Sequence, residues 1–184
     1  IFTTFIVLML IFPVSLHAAE NEIVAKGSTT VLPISQACAE VFMDQNQQVN
    51  ISVQGGGSGV GIASIIDGTC DIGNSSRAIK DAEITSAQEK GVNQVGNVVA
   101  RDAIAVIVNP ANIINGLSIE QIKAIYIGEI SNWSEIGGPD QPIVVISRDS
   151  ASGTFEAFNE LALQKERLRP DALLQASNAA VATS

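Results

Sequence analysis

Histidine is nearly absent: His17 is the only one among 184 residues. It falls in a leader-like stretch, so a chain cleaved behind it carries no imidazole. That excludes Ser-His-Asp and Cys-His catalysis, and His-ligated zinc, from the mature segment. Two cysteines, Cys38 and Cys70, are too few for a structural zinc site. Basic residues are scarce as well. Ten Lys+Arg face nineteen Asp+Glu, for a formal charge of -9, and no basic cluster occurs. This argues against nucleic acid as the main partner. Three Gly-rich enzymatic motifs are also missing. G-x-G-x-x-G fails because Val60 and Ile62 stand where its last glycine would be, a P-loop fails because Ile62 rather than Lys follows Gly61, and G-x-S-x-G fails because Val60 stands two after Ser58.

What remains is aliphatic. Hydrophobic residues make up 46% and charged residues 16%, too apolar for a disordered chain. The length suits one or two modest domains. Residues Ile1 to Leu16 carry no charge, break at Pro13, and lead into His17-Ala18-Ala19. A short apolar run followed by small residues matches a secretory signal, shorter than the roughly 20 residues of a spanning helix. Cleavage is expected after Ala18 or Ala19, with residues 1–19 as signal peptide. The alternatives are an uncleaved anchor or a buried strand. The absent basic n-region and starting Met lead us to expect a few residues ahead of Ile1. Export makes a Cys38–Cys70 disulfide possible, and two small buried thiols are the other reading.

Beyond the leader the pattern alternates strand and helix. Strands are expected at Glu22–Ala25, Val49–Gln54, Asp71–Gly73, Val98–Val108 and Pro142–Ser147. Helices are expected at Leu32–Gln45, Val60–Ile66, Asp81–Lys90, Ile119–Ile127 and Phe155–Leu163. The Val98–Val108 run is long for one strand and charged in its middle, as a strand crossing between domains would be. Pro170 to Ser184 drifts into Ala, Ser, Asn and Val and closes no unit, so the chain reads as cut at both ends. Repeated β-loop-α units imply an α/β layered fold with mostly parallel strands.

Four segments share one design: Gly27-Ser28-Thr29-Thr30, Gly57-Ser58-Gly59, Asn74-Ser75-Ser76-Arg77, and Arg148-Asp149-Ser150-Ala151-Ser152-Gly153-Thr154. Each is a Gly/Ser/Thr cluster between a strand end and a helix start. In an open α/β sheet the carboxyl ends of the strands form the ligand crevice. Helix amino termini there present free N–H groups and partial positive charge, which suit an anion. Small residues let the backbone come close, hydroxyls add donors, and Arg148 offers a permanently charged fork. Singly, each cluster is an ordinary cap or turn, and each arginine a surface or ion-pair residue. Together they would surround a compact tetrahedral oxyanion. The net charge does not oppose this, because surface charge is screened over roughly 8 Å at physiological salt.

From about Ile23 to Leu163 these motifs resemble the phosphate-binding proteins of bacterial phosphate ABC transporters, the PstS family. The most specific parts are Gly27 to Thr30, Gln54 to Gly59, Asp71 to Arg77, and Arg148 to Thr154; Ile125 to Ile130 with Trp133 resembles a further signature, which we read as domain packing. The resemblance implies a two-domain periplasmic-binding-protein fold, with mixed, mostly parallel sheets and a ligand cleft between the domains. The first domain would span 20–100 and the second 101–184. The family chain continues past Ser184, returning to complete the first domain, so the C-terminal part is expected to be missing here.

By the same resemblance, Thr29 and Thr30 would donate backbone N–H and hydroxyl groups, and Ser58 its hydroxyl and N–H. Arg148 would supply charge, and Ser152, Gly153 and Thr154 would donate from a helix start. Ser28, Ser76 and Arg77 complete the phosphate-binding set. Well-known members place an Asp where Ser76 stands. That carboxylate accepts the proton of bound phosphate and repels sulfate. Ser76 is both donor and acceptor, so sulfate rejection is less secure, and Asp71 or Asp149 are candidate replacements.

The implied protein is a monomeric periplasmic receptor that captures inorganic phosphate and delivers it to the permease subunits of an ABC transporter. It would have no enzymatic activity, cofactor, metal or nucleic-acid partner. The alternatives are a receptor for another tetrahedral oxyanion such as sulfate, a phosphate-ester hydrolase using Ser58 or Ser152 as nucleophile, and an adhesion or signalling module on the same fold.

Overall fold

The computed structural model describes residues 21–184. The signal peptide expected at residues 1–19 lies outside the described residues. Strand β1 (Glu22–Gly27) is the centre of a parallel sheet, with β2 (Asn50–Gln54) on one side and β3 (Ile72–Asn74) on the other. Its register pairs Lys26 with Gln54 and Gly27 with Asn74. All three strands therefore end at one edge, and each releases its loop there. Helices α1 (Leu32–Gln45), α2 (Ser58–Ile66) and α3 (Asp81–Glu89) follow those loops.

Helix α2 lies so close to the sheet that a Cβ on Gly61 would come within 2.6 Å of the Asn74 carbonyl oxygen and 2.7 Å of that of Lys26. Ile62 and Ile66 on the same helix pack with Ala87 of α3, against Ile79 and Val92. An apolar helix with one glycine facing the strands is what this contact requires.

A second sheet pairs β4 (Ile146–Arg148) with β5 (Leu173–Gln175) in parallel, Arg148 opposite Gln175. Helix α4 (Ile119–Ile127) precedes it, opened by a Ser118/Gln121 capping box and closed by Gly128 in the left-handed region. Helices α5 (Gly153–Leu161) and α6 (Asn178–Thr183) follow the two strands. The core of this half joins Ile125, Ile143 and Val145 to Tyr126, Ile130, Leu168 and Trp133. The Ile125–Trp133 signature thus packs in a core, as expected from its aromatic and branched content.

The structure corrects several sequence-based expectations. Val98–Val108 forms no strand, and Val98 is 92% exposed. A strand is defined by its neighbours, and no described strand pairs with this segment. Of Pro142–Ser147 only the end enters a ladder, continuing to Arg148; Pro142 makes an isolated bridge with Asn132, while Ile143 and Val145 are buried. Pro170–Ser184 does close a unit, through β5 and a Ser177-capped α6. Helix α5 starts at Gly153, two residues before the expected Phe155. Cys38 and Cys70 are neither bonded nor both buried: both are free, Cys38 is exposed, and Cys70 is half-buried.

Gly61→Ala is expected to lower stability by about 1–3 kcal/mol through overpacking against the sheet. The readout is a reduced urea midpoint at unchanged slope. A wild-type midpoint would show that α2 can lift off the strands without cost.

Candidate functional site

The loop after β1 is tied down by its first hydroxyl. Buried Ser28 donates its N–H to the Asn74 carbonyl at 2.8 Å, and its Oγ accepts from the N–H of Thr30 (3.2 Å) and Val31 (3.4 Å). Ser28 is thereby turned into its own loop rather than capping α1 directly. This frees the next two hydroxyls. Thr29 Oγ1 is buried with no hydrogen-bond partner, an arrangement that costs free energy unless something else bonds it. Thr30 Oγ1 lies 3.2 Å from Thr154 Oγ1, on the start of α5.

The loops after β2 and β3 meet beside it. Ser58 is 0% exposed; its Oγ accepts from the Ser76 N–H at 3.0 Å and lies 3.2 Å from Ser76 Oγ. The loop after β4 enters from the other side. Gly59 N–H donates to the Ala151 carbonyl at 3.0 Å. A Cβ on Gly153 would sit 2.3 Å from Ser58 Oγ and 2.8 Å from Ser76 Oγ, so only glycine lets α5 approach this closely. Ser152, 1% exposed, caps α5 by accepting from the Phe155 N–H at 3.2 Å. Ser58, Ser76 and Gly153 therefore form one cluster, and Thr30 with Thr154 another.

The two arginines differ sharply. Arg148 is 5% exposed, and its guanidinium donates only to neutral oxygens: Nε to Gln175 O (3.0 Å), Nη2 to Ala176 O (3.0 Å), and Nη1 to Asn178 Oδ1. None of the ion pairs among the described residues includes it. Burial lowers its pKa, with Asp149 nearby opposing the shift, but a guanidinium stays charged at neutral pH. The result is a buried positive charge with no carboxylate in contact.

Arg77 is instead committed. Its Nη2 is 2.7 Å from Glu83 Oε1, its Nη1 2.8 Å from Glu83 Oε2, and its Nε 2.6 Å from Glu156 Oε2 on α5. Lys80 Nζ adds a 2.9 Å contact to Glu156. Hydrogen bonding to Glu83 raises the Arg77 pKa. Arg77, expected among the ligand-holding residues, has its charge matched by two carboxylates and links the loop after β3 to α5. The two candidate replacements for the missing acceptor each accept a backbone N–H. Asp71 Oδ2 accepts from the Val24 N–H, in the middle of β1, and Asp149 Oδ1 accepts from the Ala151 N–H within its own loop.

Sequence reasoning missed Asn178, whose Nδ2 donates to Thr30 Oγ1 at 2.8 Å, and Glu156. Asn178 follows the Ser177 cap, a signal that stood in the stretch set aside as unpatterned. As to the hydrolase reading, the recorded partners of Ser58 and Ser152 Oγ are N–H groups and the Ser76 hydroxyl, none of them a general base.

Two α/β units thus meet at a set of hydroxyls, helix starts and a guanidinium that no carboxylate pairs. Residues 14–183 match the PBP superfamily domain, and the chain belongs to that superfamily. It is similar to Protein SphX of Synechococcus elongatus, 34% identical over 168 residues, 88% of this chain and 50% of the relative. It is also similar to the phosphate-binding protein PstS of Bacillus subtilis, 36% identical over 145 residues, 79% of this chain and 47% of the relative. Among solved structures it resembles a Clostridium perfringens chain assigned as a phosphate ABC transporter substrate-binding protein and crystallised with bound phosphate. The TM-score is 0.78 at 36% identity, covering 89% of this chain and 65% of that one. The chain spans about half the length of the curated relatives it matches.

The Arg77–Glu83 pair yields a pH prediction. Hydrogen bonds from Arg77, then from the Lys80 N–H, hold the Glu83 carboxyl below its ordinary value. A depressed folded pKa adds stability above the unfolded value of about 4.3, lost as pH falls through the depressed one. Glu83→Gln is expected to destabilise by about 1–2 kcal/mol at pH 7, with the gap to wild type closing on acidification. Urea unfolding between pH 7 and pH 2 checks it; a gap that persists in acid places the stabilisation elsewhere.

Proposed function

We propose that this chain forms the ligand-holding part of an extracytoplasmic receptor that captures inorganic phosphate and hands it to an ABC permease. The observation that carries the reading is Arg148, a buried guanidinium whose hydrogen bonds all go to neutral oxygens. Burying an unpaired charge is costly, and a bound anion offsets that cost. The orphaned Thr29 hydroxyl asks for an acceptor in the same region. The similarity to proteins named for phosphate binding supports phosphate as that anion.

In this reading Thr29, Thr30, Ser58, Ser76, Ser152, Gly153 and Thr154 surround the ion with hydroxyls and backbone N–H groups, and Arg148 supplies the charge. Ser28 orders the first loop and Arg77 the clamp. No bond of the ligand is made or broken; the work is desolvation and geometric fit. Residues 20–100 and 101–184 act as the two lobes, and the leader places the monomeric protein in the periplasm. The permease subunits are its partners.

A second reading has one observation in its favour. The groups that meet at Ser58, Ser76 and Thr30 are donors or donor-acceptors, and Ser76 replaces an acceptor-only carboxylate. Such a site discriminates less by protonation, so a fully ionised tetrahedral oxyanion such as sulfate is the competitor.

Calorimetric titration of the full-length protein with phosphate, then with sulfate, tests both. Tight phosphate binding undisturbed by excess sulfate is expected. Sulfate binding of equal strength favours the second reading, and a folded protein that binds neither ion overturns both. Arg148→Ala is expected to weaken phosphate binding at least tenfold, since a hydrogen bond to a charged group contributes roughly 1.5–3 kcal/mol. Unchanged affinity would remove Arg148 from the site.

A further inference from the structure

Arg148, at the end of β4, and Thr30, in the loop after β1, are joined through one amide. Arg148 Nη1 donates to Asn178 Oδ1, and Asn178 Nδ2 donates to Thr30 Oγ1 at 2.8 Å. A guanidinium carries donors only, so the Asn178 atom facing it must be the oxygen. The amide nitrogen then faces Thr30. That nitrogen has no acceptor capacity, so the Thr30 hydroxyl accepts from it and its own proton points elsewhere. Its other neighbour is Thr154 Oγ1, at 3.2 Å, a second hydroxyl of the proposed ligand shell. Arg148 is itself held by the Gln175 and Ala176 carbonyls, which gives the arrangement a rigid main-chain anchor.

We propose that Asn178 is a positioning residue that transmits the fixed orientation of Arg148 to the Thr30 hydroxyl and assigns that hydroxyl as a donor to the bound anion. The proposal rests on the phosphate reading above. A free hydroxyl presents a lone pair to an oxyanion as readily as its proton, so it must be ordered on binding. A hydroxyl whose acceptor side is already occupied avoids that ordering. The amide also spans the two sheets, so the Thr30 donor is set only when β5 and α6 stand against the loop after β1. Asn178 is half-buried and belongs to none of the four loop clusters, so its effect is exerted through Thr30.

The test is a double-mutant cycle on the full-length protein, with phosphate titrated calorimetrically and Tm measured for each variant. Asn178→Ala is expected to weaken phosphate binding about tenfold in the wild-type background, the equivalent of one hydrogen bond to an ion. Placed on Thr30→Val, which removes the hydroxyl but keeps the shape, the same substitution should cost almost nothing further. A merely structural role would give equal losses in both backgrounds and would follow Tm, and that result overturns the proposal. So does unchanged affinity in Asn178→Ala. If Asn178→Ala does not fold, Asn178→Ser replaces it: the shorter neutral side chain cannot span Arg148 and Thr30, and the same coupling must appear. Should the wild-type protein bind no phosphate, the phosphate reading itself falls and takes the relay with it. If the wild type binds and the cycle is additive, only the relay fails.

Discussion

A guanidinium taken out of water loses hydration worth several kcal/mol, and in most proteins a carboxylate in contact recovers much of it. Arg148 has no such partner and is held by the Gln175 and Ala176 carbonyls and the Asn178 amide. Much of the surrounding structure follows from that constraint. Strand β5 lies beside β4 with Gln175 opposite Arg148, which brings one of those carbonyls into range. Helix α6 begins where it presents Asn178 to the same group. A positive charge stabilised this way stays available to a diffusible anion, whereas a charge clasped by aspartate or glutamate does not. Arg77 shows the contrast, because Glu83 and Glu156 have already matched it.

The second constraint is the alignment of strand ends. Parallel pairing with Gly27 level with Asn74, and Lys26 level with Gln54, makes the first sheet release all its loops at one edge. The loop after β4 reaches the same place, and Gly153 lets α5 approach Ser58 and Ser76 to a distance no side chain would tolerate. Hydroxyls from different parts of the chain meet because backbone, not side chain, sets the spacing. The strap from Arg77 and Lys80 to Glu156 then holds the two sheets against each other beside this cluster.

Much of this was legible in the sequence, in proportion to how local the signal is. The Ser118 cap, the Leu32–Gln45 helix and the alternation of Val49–Gln54 are short-range patterns, and they stand where the residues place them, the strand starting one residue later at Asn50. The four Gly/Ser/Thr clusters were visible as strand-to-helix junctions, and the structure brings them together. What failed was non-local. Val98–Val108 has the composition of a strand and no described partner. Leu173–Gln175 is too short to stand out, yet it pairs with β4. The roles of Arg77 and Asn178 depend on residues 79 and 148 positions away in the chain, and no spacing rule reaches that far.

By itself the sequence determined the chemistry available: few basic residues, a single histidine at position 17, and hydroxyls and glycines gathered at helix starts. Side-chain type decides what can donate, accept or ionise, so neutral hydroxyl and N–H donors are the groups these loops offer. Only the tertiary structure decided how each group is used. Arg148 ends β4 and Arg77 follows the end of β3, and the two differ in whether folding delivers a carbonyl or a carboxylate to the guanidinium. Hydrogen bonds act over about 3 Å, while Arg148 finds its partners 27 to 30 residues along the chain and Arg77 reaches Glu156 on another helix, so these pairings are fixed by packing and not by pattern.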